Sequence, residues 1–240
     1  MIRVSNIWKK YDGRNVLQGI QMQINRGDLM ILLGESGSGK STLLKCVSLL
    51  EKWDEGEYSF EGKKITGSDW WGKQAVRKKL AYIAEKPEFT QGQKLLQYVL
   101  GGKVPAWRVI LKLVSKNEHM LAMDFLEKVR LLDKAYMAAS KLSGGEKKRA
   151  AIARALFRGA TVVFADEPVS GLDPRSAETI MEDFVHVAKL KDVTFVCTMQ
   201  DMDMAAKYAT RILGLVDGKI ALDIPARILT SYEKNMILKK

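Results

Sequence analysis

The segment Gly34-Glu35-Ser36-Gly37-Ser38-Gly39-Lys40-Ser41-Thr42 constrains this chain more than any other, because it satisfies G-x-x-x-x-G-K-[ST] between two stretches of different character. Before it, Leu29-Met30-Ile31-Leu32-Leu33 is apolar at every position, as a strand buried on both faces requires. After it, Lys40-Ser41-Thr42-Leu43-Leu44 opens a helix. Glycines let successive backbone N–H groups converge, and the helix N-terminus adds partial positive charge at the same place. Phosphate suits such a loop. Lys40 is expected to reach the β and γ phosphates of a nucleoside triphosphate, and the Ser41 hydroxyl to ligate magnesium.

The rest of the chain supplies a sheet to carry that loop. Thr161 to Ala165 and Val193 to Thr198 are two more continuous apolar runs, which the alternation with helical patterns makes buried parallel strands of an α/β domain. Ile2 to Trp8 and Val16 to Ile24 flank a turn at Tyr11 to Asn15 and predict an antiparallel hairpin; Asp217-Gly218 predicts another near the end. Between about Gln93 and Lys141 the β-branched runs stop, and Leu121, Phe125, Leu126 and Val129 recur at helical spacing, which predicts a helical insertion. The tail from Ala226 to Lys240 is expected to be helical. One strand ends in Asp166-Glu167, delivering two carboxylates to the carboxyl edge of the sheet, where ligands of open α/β sheets collect. Asp166 is expected to hold magnesium through water and Glu167 to act as general base on the attacking water.

Composition excludes other classes. Lys plus Arg number 39 against 28 Asp plus Glu, a net charge of +11, which attracts phosphates, nucleic acid or anionic lipid without choosing among them. The basic residues are spread along the chain, as at Lys9-Lys10, Arg77-Lys78-Lys79 and Lys147-Lys148-Arg149, with no RNP, zinc-finger or basic-zipper pattern, so no specific nucleic-acid partner is expected. Cys46 and Cys197 lie in apolar stretches and read as buried reduced thiols. Met1 to Asn6 lacks the apolar core of a signal peptide, and no stretch approaches the roughly 20 apolar residues that span a bilayer. Any membrane attachment is expected through a partner.

A third motif, Leu142-Ser143-Gly144-Gly145-Glu146 followed by Lys147 to Leu156, resembles the signature of ATP-binding-cassette (ABC) ATPases, and the resemblance extends over essentially the whole chain. It implies a P-loop NTPase core with an antiparallel β subdomain: a single domain over 1–240, with a helical subdomain at about 93–141 inserted into a RecA-like core at about 1–92 and 142–240. It implies ATP and Mg2+ as ligands, sandwiched between two cassettes head to tail. The Ser143 hydroxyl and the Gly144 and Gly145 amides, beside Glu146, form a second phosphate cradle at a helix N-terminus. In this family it grips the γ-phosphate held by the opposite cassette. The resemblance makes Tyr11 the stack for adenine and Ser170-Gly171-Leu172-Asp173 the loop that crosses the dimer interface. It further implies transmembrane permease subunits, a substrate-binding protein where the transporter is an importer, and a place on the cytoplasmic side of the cell membrane. The wording around Leu132 to Tyr136, Ala165 to Val169 and Tyr208 to Ile220 is similar to ATPases of phosphonate-type importers, which suggests phosphonate or a similar small oxyanion as cargo.

Two positions depart from the family pattern. Glu85 stands where the resemblance places a loop glutamine that contacts magnesium, and Gln200 stands where it places a switch histidine; His119 and His186 fall elsewhere. A glutamine amide donates a neutral hydrogen bond but cannot carry an imidazole's proton, so slower hydrolysis is expected. Glu85 adds a carboxylate near Glu167 and the γ-phosphate, a repulsion that magnesium would have to offset. Glu146 replaces the commoner signature glutamine and leaves the Ser-Gly-Gly cradle intact. A weakened phosphate site beside a sound signature also fits a regulatory cassette with slow hydrolysis, working in a heterodimer. A soluble cassette acting on DNA or ribosomes would need a long coiled-coil insertion or tandem cassettes, which the sequence lacks.

Overall fold

The computed structural model describes residues 1–66 and 69–238, apart from the side chain of Lys191. Two sheets organise it. Strands β1 (Ile2–Tyr11), β2 (Arg14–Ile24), β4 (Glu55–Phe60) and β5 (Lys63–Ile65) form an antiparallel sheet in the order β2-β1-β4-β5. Strands β3 (Leu29–Leu33), β6 (Leu80–Ile83), β7 (Val162–Ala165), β8 (Thr194–Met199), β9 (Arg211–Val216) and β10 (Lys219–Pro225) form the second, in the order β10-β9-β3-β8-β7-β6. Its inner strands are parallel, and β10 turns back antiparallel on β9.

The side-chain alternation of β3 explains why the run is apolar throughout. Leu29, Ile31 and Leu33 enter the core beneath the long helices, whereas Met30 and Leu32 enter a second core shared with the antiparallel sheet. Fully burying each such side chain contributes about 1.5–3 kcal/mol, so the strand that carries the phosphate loop is fixed from both faces. Cys197 in β8 and Cys46 in helix α1 (Lys40–Val47) are free and buried. Burial pushes both thiols up, Cys46 to about 12, so neither is a ready nucleophile.

The helical segment holds α3 (Leu95–Leu100), α4 (Ala106–Ile110), α5 (Lys116–Lys128) and two 3-10 turns at Leu132–Lys134 and Ala139–Lys141. Its two ends are tied together, the amide of Ala139 donating to the carbonyl of Gln93 over 2.8 Å and that of Leu95 to Met137 over 2.9 Å. The predicted apolar stripe is rotated by one residue: Phe125, Leu126 and Val129 are buried, but Leu121 is 40% exposed and Ala122 faces the core in its place. Close approach of α5 to α6 (Gly144–Arg158) admits the methyl at that turn. The remaining helices are α2 (Trp70–Lys79), α7 (Pro174–Lys191), α8 (Met202–Tyr208) and α9 (Ser231–Leu238), the last within the tail expected to be helical. Among the described residues no helix is long and apolar enough to cross a membrane.

One turn joins the two sheets. The amide of Gly218, between β9 and β10, donates to the Ser38 carbonyl over 3.0 Å, and its carbonyl accepts the Gln18 amide of β2 over 2.8 Å. A Cβ at position 218 would stand 2.2 Å from the Val16 carbonyl oxygen, and φ is +72°, so glycine is required there.

Candidate nucleotide site

Sheet order places the candidate residues side by side. β3, β8, β7 and β6 are neighbours, and from their carboxyl ends emerge the phosphate loop, Gln200, Asp166-Glu167 and Glu85 in turn. The loop's backbone is possible only with glycine: Gly37 and Gly39 have φ of +82° and +102°, and a Cβ on Gly34 would stand 2.4 Å from the Leu215 carbonyl oxygen. Ser36 and Gly37 are exposed at the loop's crest; the Ser38 hydroxyl is buried and without a hydrogen-bond partner. Gly39 precedes α1, and Lys40, Ser41 and Thr42 form its first turn.

Lys40 is 6% exposed, and its ammonium donates to the carbonyls of Gly34 over 2.7 Å and Glu35 over 2.9 Å, with Glu167 Oε1 3.7 Å away. Burial lowers its pKa, while the Glu167 and Asp166 carboxylates pull the other way. The Ser41 hydroxyl donates to Asp166 Oδ1 over 3.0 Å, and Tyr82 donates to Asp166 Oδ2 over 2.8 Å. Burial, then the Asp166 carboxylate, push the Tyr82 phenol up, so it stays a donor. Thr198, fully buried at the end of β8, donates to Asp166 Oδ1 and accepts the amide of Glu167, each over 2.7 Å. Gln200 donates its side-chain amide to Glu167 Oε1 over 3.2 Å. Glu167 itself has φ of +45°, a left-handed backbone that a non-glycine residue keeps only under support from its surroundings.

These residues fit a nucleoside triphosphate with magnesium. An unpartnered buried hydroxyl at Ser38, a loop with no room for side chains and a desolvated lysine all favour phosphate oxygens. The Ser41 hydroxyl and the Asp166 carboxylate would offer hard oxygens of the kind magnesium prefers. Among the described residues, no cluster of three or more His, Cys, Asp or Glu side chains offers an all-protein metal cage instead.

The other candidates lie around this centre. Glu85 Oε1 accepts from the Ser170 hydroxyl over 3.4 Å, so it meets the site through the 167–170 loop. Tyr11 sits where β1 ends, donating to Glu51 and leaving its ring 40% exposed; partial burial, then Glu51, push its phenol up to about 12. Asp173 caps α7, accepting the Ser176 amide over 3.0 Å. Ser143 caps α6 with Glu146 as reciprocal partner: Glu146 accepts the Ser143 amide over 2.9 Å, returns its own amide to Ser143 Oγ over 3.3 Å, and pairs with Lys134. Burial raises the Glu146 carboxyl, but Lys134 and the Ser143 amide outweigh it and leave its pKa below the usual range. Among the described residues, the side-chain bonds of 143–146 reach Lys134 and the segment itself, its backbone continues into α6, and none of these side-chain bonds reaches the phosphate loop. Gly144 and Gly145 form the first turn of α6.

Three contributors escaped the sequence reading. Tyr82 and Thr198 bind Asp166 from neighbouring strands, and local spacing gives no sign of such a contact. Lys148 reads as one of a surface basic triplet, yet it is 5% exposed and donates to the carbonyls of Glu167 over 3.1 Å and Ser170 over 3.0 Å.

A family model described as "ABC transporter" matches residues 17–170. The phosphonates import ATP-binding protein PhnC of Staphylococcus aureus (strain MRSA252) is 35% identical over 94% of this chain and 89% of its own length. The protein of the same name from Shouchella clausii (strain KSM-K16) is 36% identical over 94% and 86%. Among solved structures, cbiO1 from Clostridium perfringens, part of the ABC transporter complex cbiONQ, superposes with a TM-score of 0.81 at 27% identity, over 94% of this chain and 88% of that one. A dimeric, post-hydrolysis ATP-binding cassette bound to ADP and Pi gives 0.80 at 26% identity, over 95% and 99%.

Proposed function

The chain belongs to the ABC transporter family of ATPases, and from that premise we propose that it closes on ATP against a second cassette to drive a separate membrane permease. The observation that carries this reading is the contact set at the sheet's carboxyl edge, where Ser41 touches Asp166 at 3.0 Å and Lys40 stands 3.7 Å from Glu167. Lys40 would bind the β and γ phosphates, and Ser41 with Asp166 would hold magnesium. The magnesium, when bound, supplies charge neutralisation to the phosphate oxygens. Glu167 would orient the attacking water and take its proton, with Gln200 fixing the carboxylate. Tyr11 would face adenine, and Glu85 would line the magnesium side of the site. Because 143–146 does not reach this chain's own loop, the signature and Asp173 serve the ATP of the opposite cassette. The segment 93–141 works as a subdomain that docks the permease on the cytoplasmic face of the membrane. The names of the relatives make phosphonate, or a similar small oxyanion delivered by a binding protein, the cargo we infer.

Single-turnover hydrolysis of ATP with magnesium tests the reading. A transport motor turns over on the order of once per second or faster, and Glu167→Gln should hold ATP without cleaving it. A Glu167→Gln chain that cleaves ATP as fast as the parent removes the proposed base. The Gln200–Glu167 bond favours one second reading, a regulatory cassette in a heterodimer, since a neutral amide cannot carry the proton that an imidazole would. Turnover far below once per second that rises when a different cassette is added would select that reading.

A further inference from the structure

Glu85 brings a carboxylate to a site that already holds Asp166, Glu167 and, when loaded, a triphosphate. Two like charges added near one another without a counter-charge disfavour folding and binding alike. Gln200 offers none, because its amide is neutral. Glu85 is exposed and screened by solvent, so the need for a cation other than Lys40, which the phosphates claim, arises when the triphosphate is bound beside it.

Lys148 is in the right place. It rises from the first turns of α6, directly after the signature, and its ammonium is buried beneath the loop that carries Glu167. It donates to the carbonyl at each end of that loop, Glu167 and Ser170, so it closes the turn from below. The same turn is closed from within by the Ser170 amide donating to the Glu167 carbonyl over 3.1 Å. The Ser170 hydroxyl then reaches Glu85 Oε1. Burial lowers the pKa of Lys148, and the negative charges of Glu85 and Glu167 oppose that shift, so both lie within electrostatic reach.

We propose that Lys148 is a positioning residue for ATP hydrolysis: it supports the left-handed backbone of Glu167 and supplies the fixed positive charge that makes Glu85 compatible with the site. The inference rests on the ATPase reading given above. It assigns Glu85 and Lys148 to one another as a pair joined through Ser170. It also links the signature helix to the catalytic loop, since the lysine that supports Glu167 grows from the helix that Ser143 caps.

A double-mutant cycle with Lys148→Met and Glu85→Gln tests the pairing, read both as thermal unfolding of the nucleotide-free chain and as single-turnover hydrolysis. Lys148→Met alone should lower the melting temperature by on the order of 4 °C and the hydrolysis rate about tenfold or more with ATP affinity little changed, since Lys40 still holds the phosphates. Adding Glu85→Gln should restore part of both the rate and the melting temperature, because it removes the unanswered charge but not the lost bonds to the Glu167 and Ser170 carbonyls. Lys148→Gln, which keeps a donor and drops the charge, should lose less than Lys148→Met and be rescued more fully by Glu85→Gln. Strictly additive effects in both measurements overturn the pairing. So does failure of both Lys148 variants to fold even in the Glu85→Gln background, which would make the lysine a packing element only. Because the melting cycle uses no nucleotide, it reports on the pair even if the ATPase reading fails, and that failure would show separately as undiminished ATP binding in Lys40→Ala.

Discussion

The hydroxyl of Thr198 donates to Oδ1 of Asp166 over 2.7 Å while accepting the Glu167 amide at the same distance. One side chain from β8 thereby fixes the Asp166 carboxylate and the Glu167 backbone just past the end of β7. Thr198→Val keeps the shape and removes the bonds, leaving a buried amide without its acceptor. Such a loss costs about 1–3 kcal/mol, so urea unfolding should show a drop of that size and Thr198→Ser should recover much of it. Equal stability for the valine variant and the parent would mean that the bonds carry no net weight.

Lys40 donates to the carbonyls of Gly34 and Glu35 in the loop. Phosphate binding exchanges those neutral partners for charged ones, a stronger class of hydrogen bond. Lys40→Ala is therefore expected to abolish measurable ATP affinity in a fluorescent nucleotide titration while the far-UV spectrum of the chain stays unchanged. Retained affinity would move the phosphate site elsewhere.

Glu167→Gln preserves size and removes the proposed base. With ATP and magnesium it should run as a dimer on size-exclusion chromatography and return to monomer with ADP. Monomer elution in both nucleotides would count against closure driven by two signatures and two phosphate loops.

The C-terminal helix carries a pH-dependent lock. Arg227 forms a two-pronged pair with Glu233, and the Thr230 amide donates to the same carboxylate over 2.8 Å. These partners, Arg227 foremost, lower the Glu233 pKa to about 2. A carboxyl depressed on folding contributes stability in full above its unfolded value, about 4.3, and loses that contribution as pH falls toward the folded value. Chemical unfolding of the parent and of Glu233→Gln should differ at neutral pH and converge between about pH 4.3 and pH 2. A difference that persists unchanged at pH 2 would show that packing, not charge, holds the helix.

The parts of the fold that the sequence makes legible are those where local pattern and burial agree. Leu29 to Leu33, Thr161 to Ala165 and Val193 to Thr198 show no polar face because both faces meet a core, and the structure places strands there to within one residue. The phosphate loop is legible because its glycines are fixed by backbone geometry alone. Lys148 is not: its neighbours Lys147 and Arg149 are less buried, and only the fold reveals that the middle residue turns beneath the catalytic loop. Leu121 misleads for a related reason, since helical spacing gives the period of a stripe but not its centre, and the packed face of α5 takes Ala122 in its place. Tyr82 and Thr198 act across strands far apart in sequence, where no local period can register them.

The Asp217-Gly218 turn hydrogen-bonds Ser38 on one side and Gln18 on the other, joining the hairpin that ends at Tyr11 to the loop that ends at Lys40. Those two sites would receive opposite ends of one nucleotide, the base and the phosphates, and the turn sets the gap between them as a fixed gauge. Moving the hairpin relative to the loop would break the bonds that tie Gly218 to Ser38 and Gln18, and the backbone of Gly218 lies so close to Val16 that only a glycine fits between them.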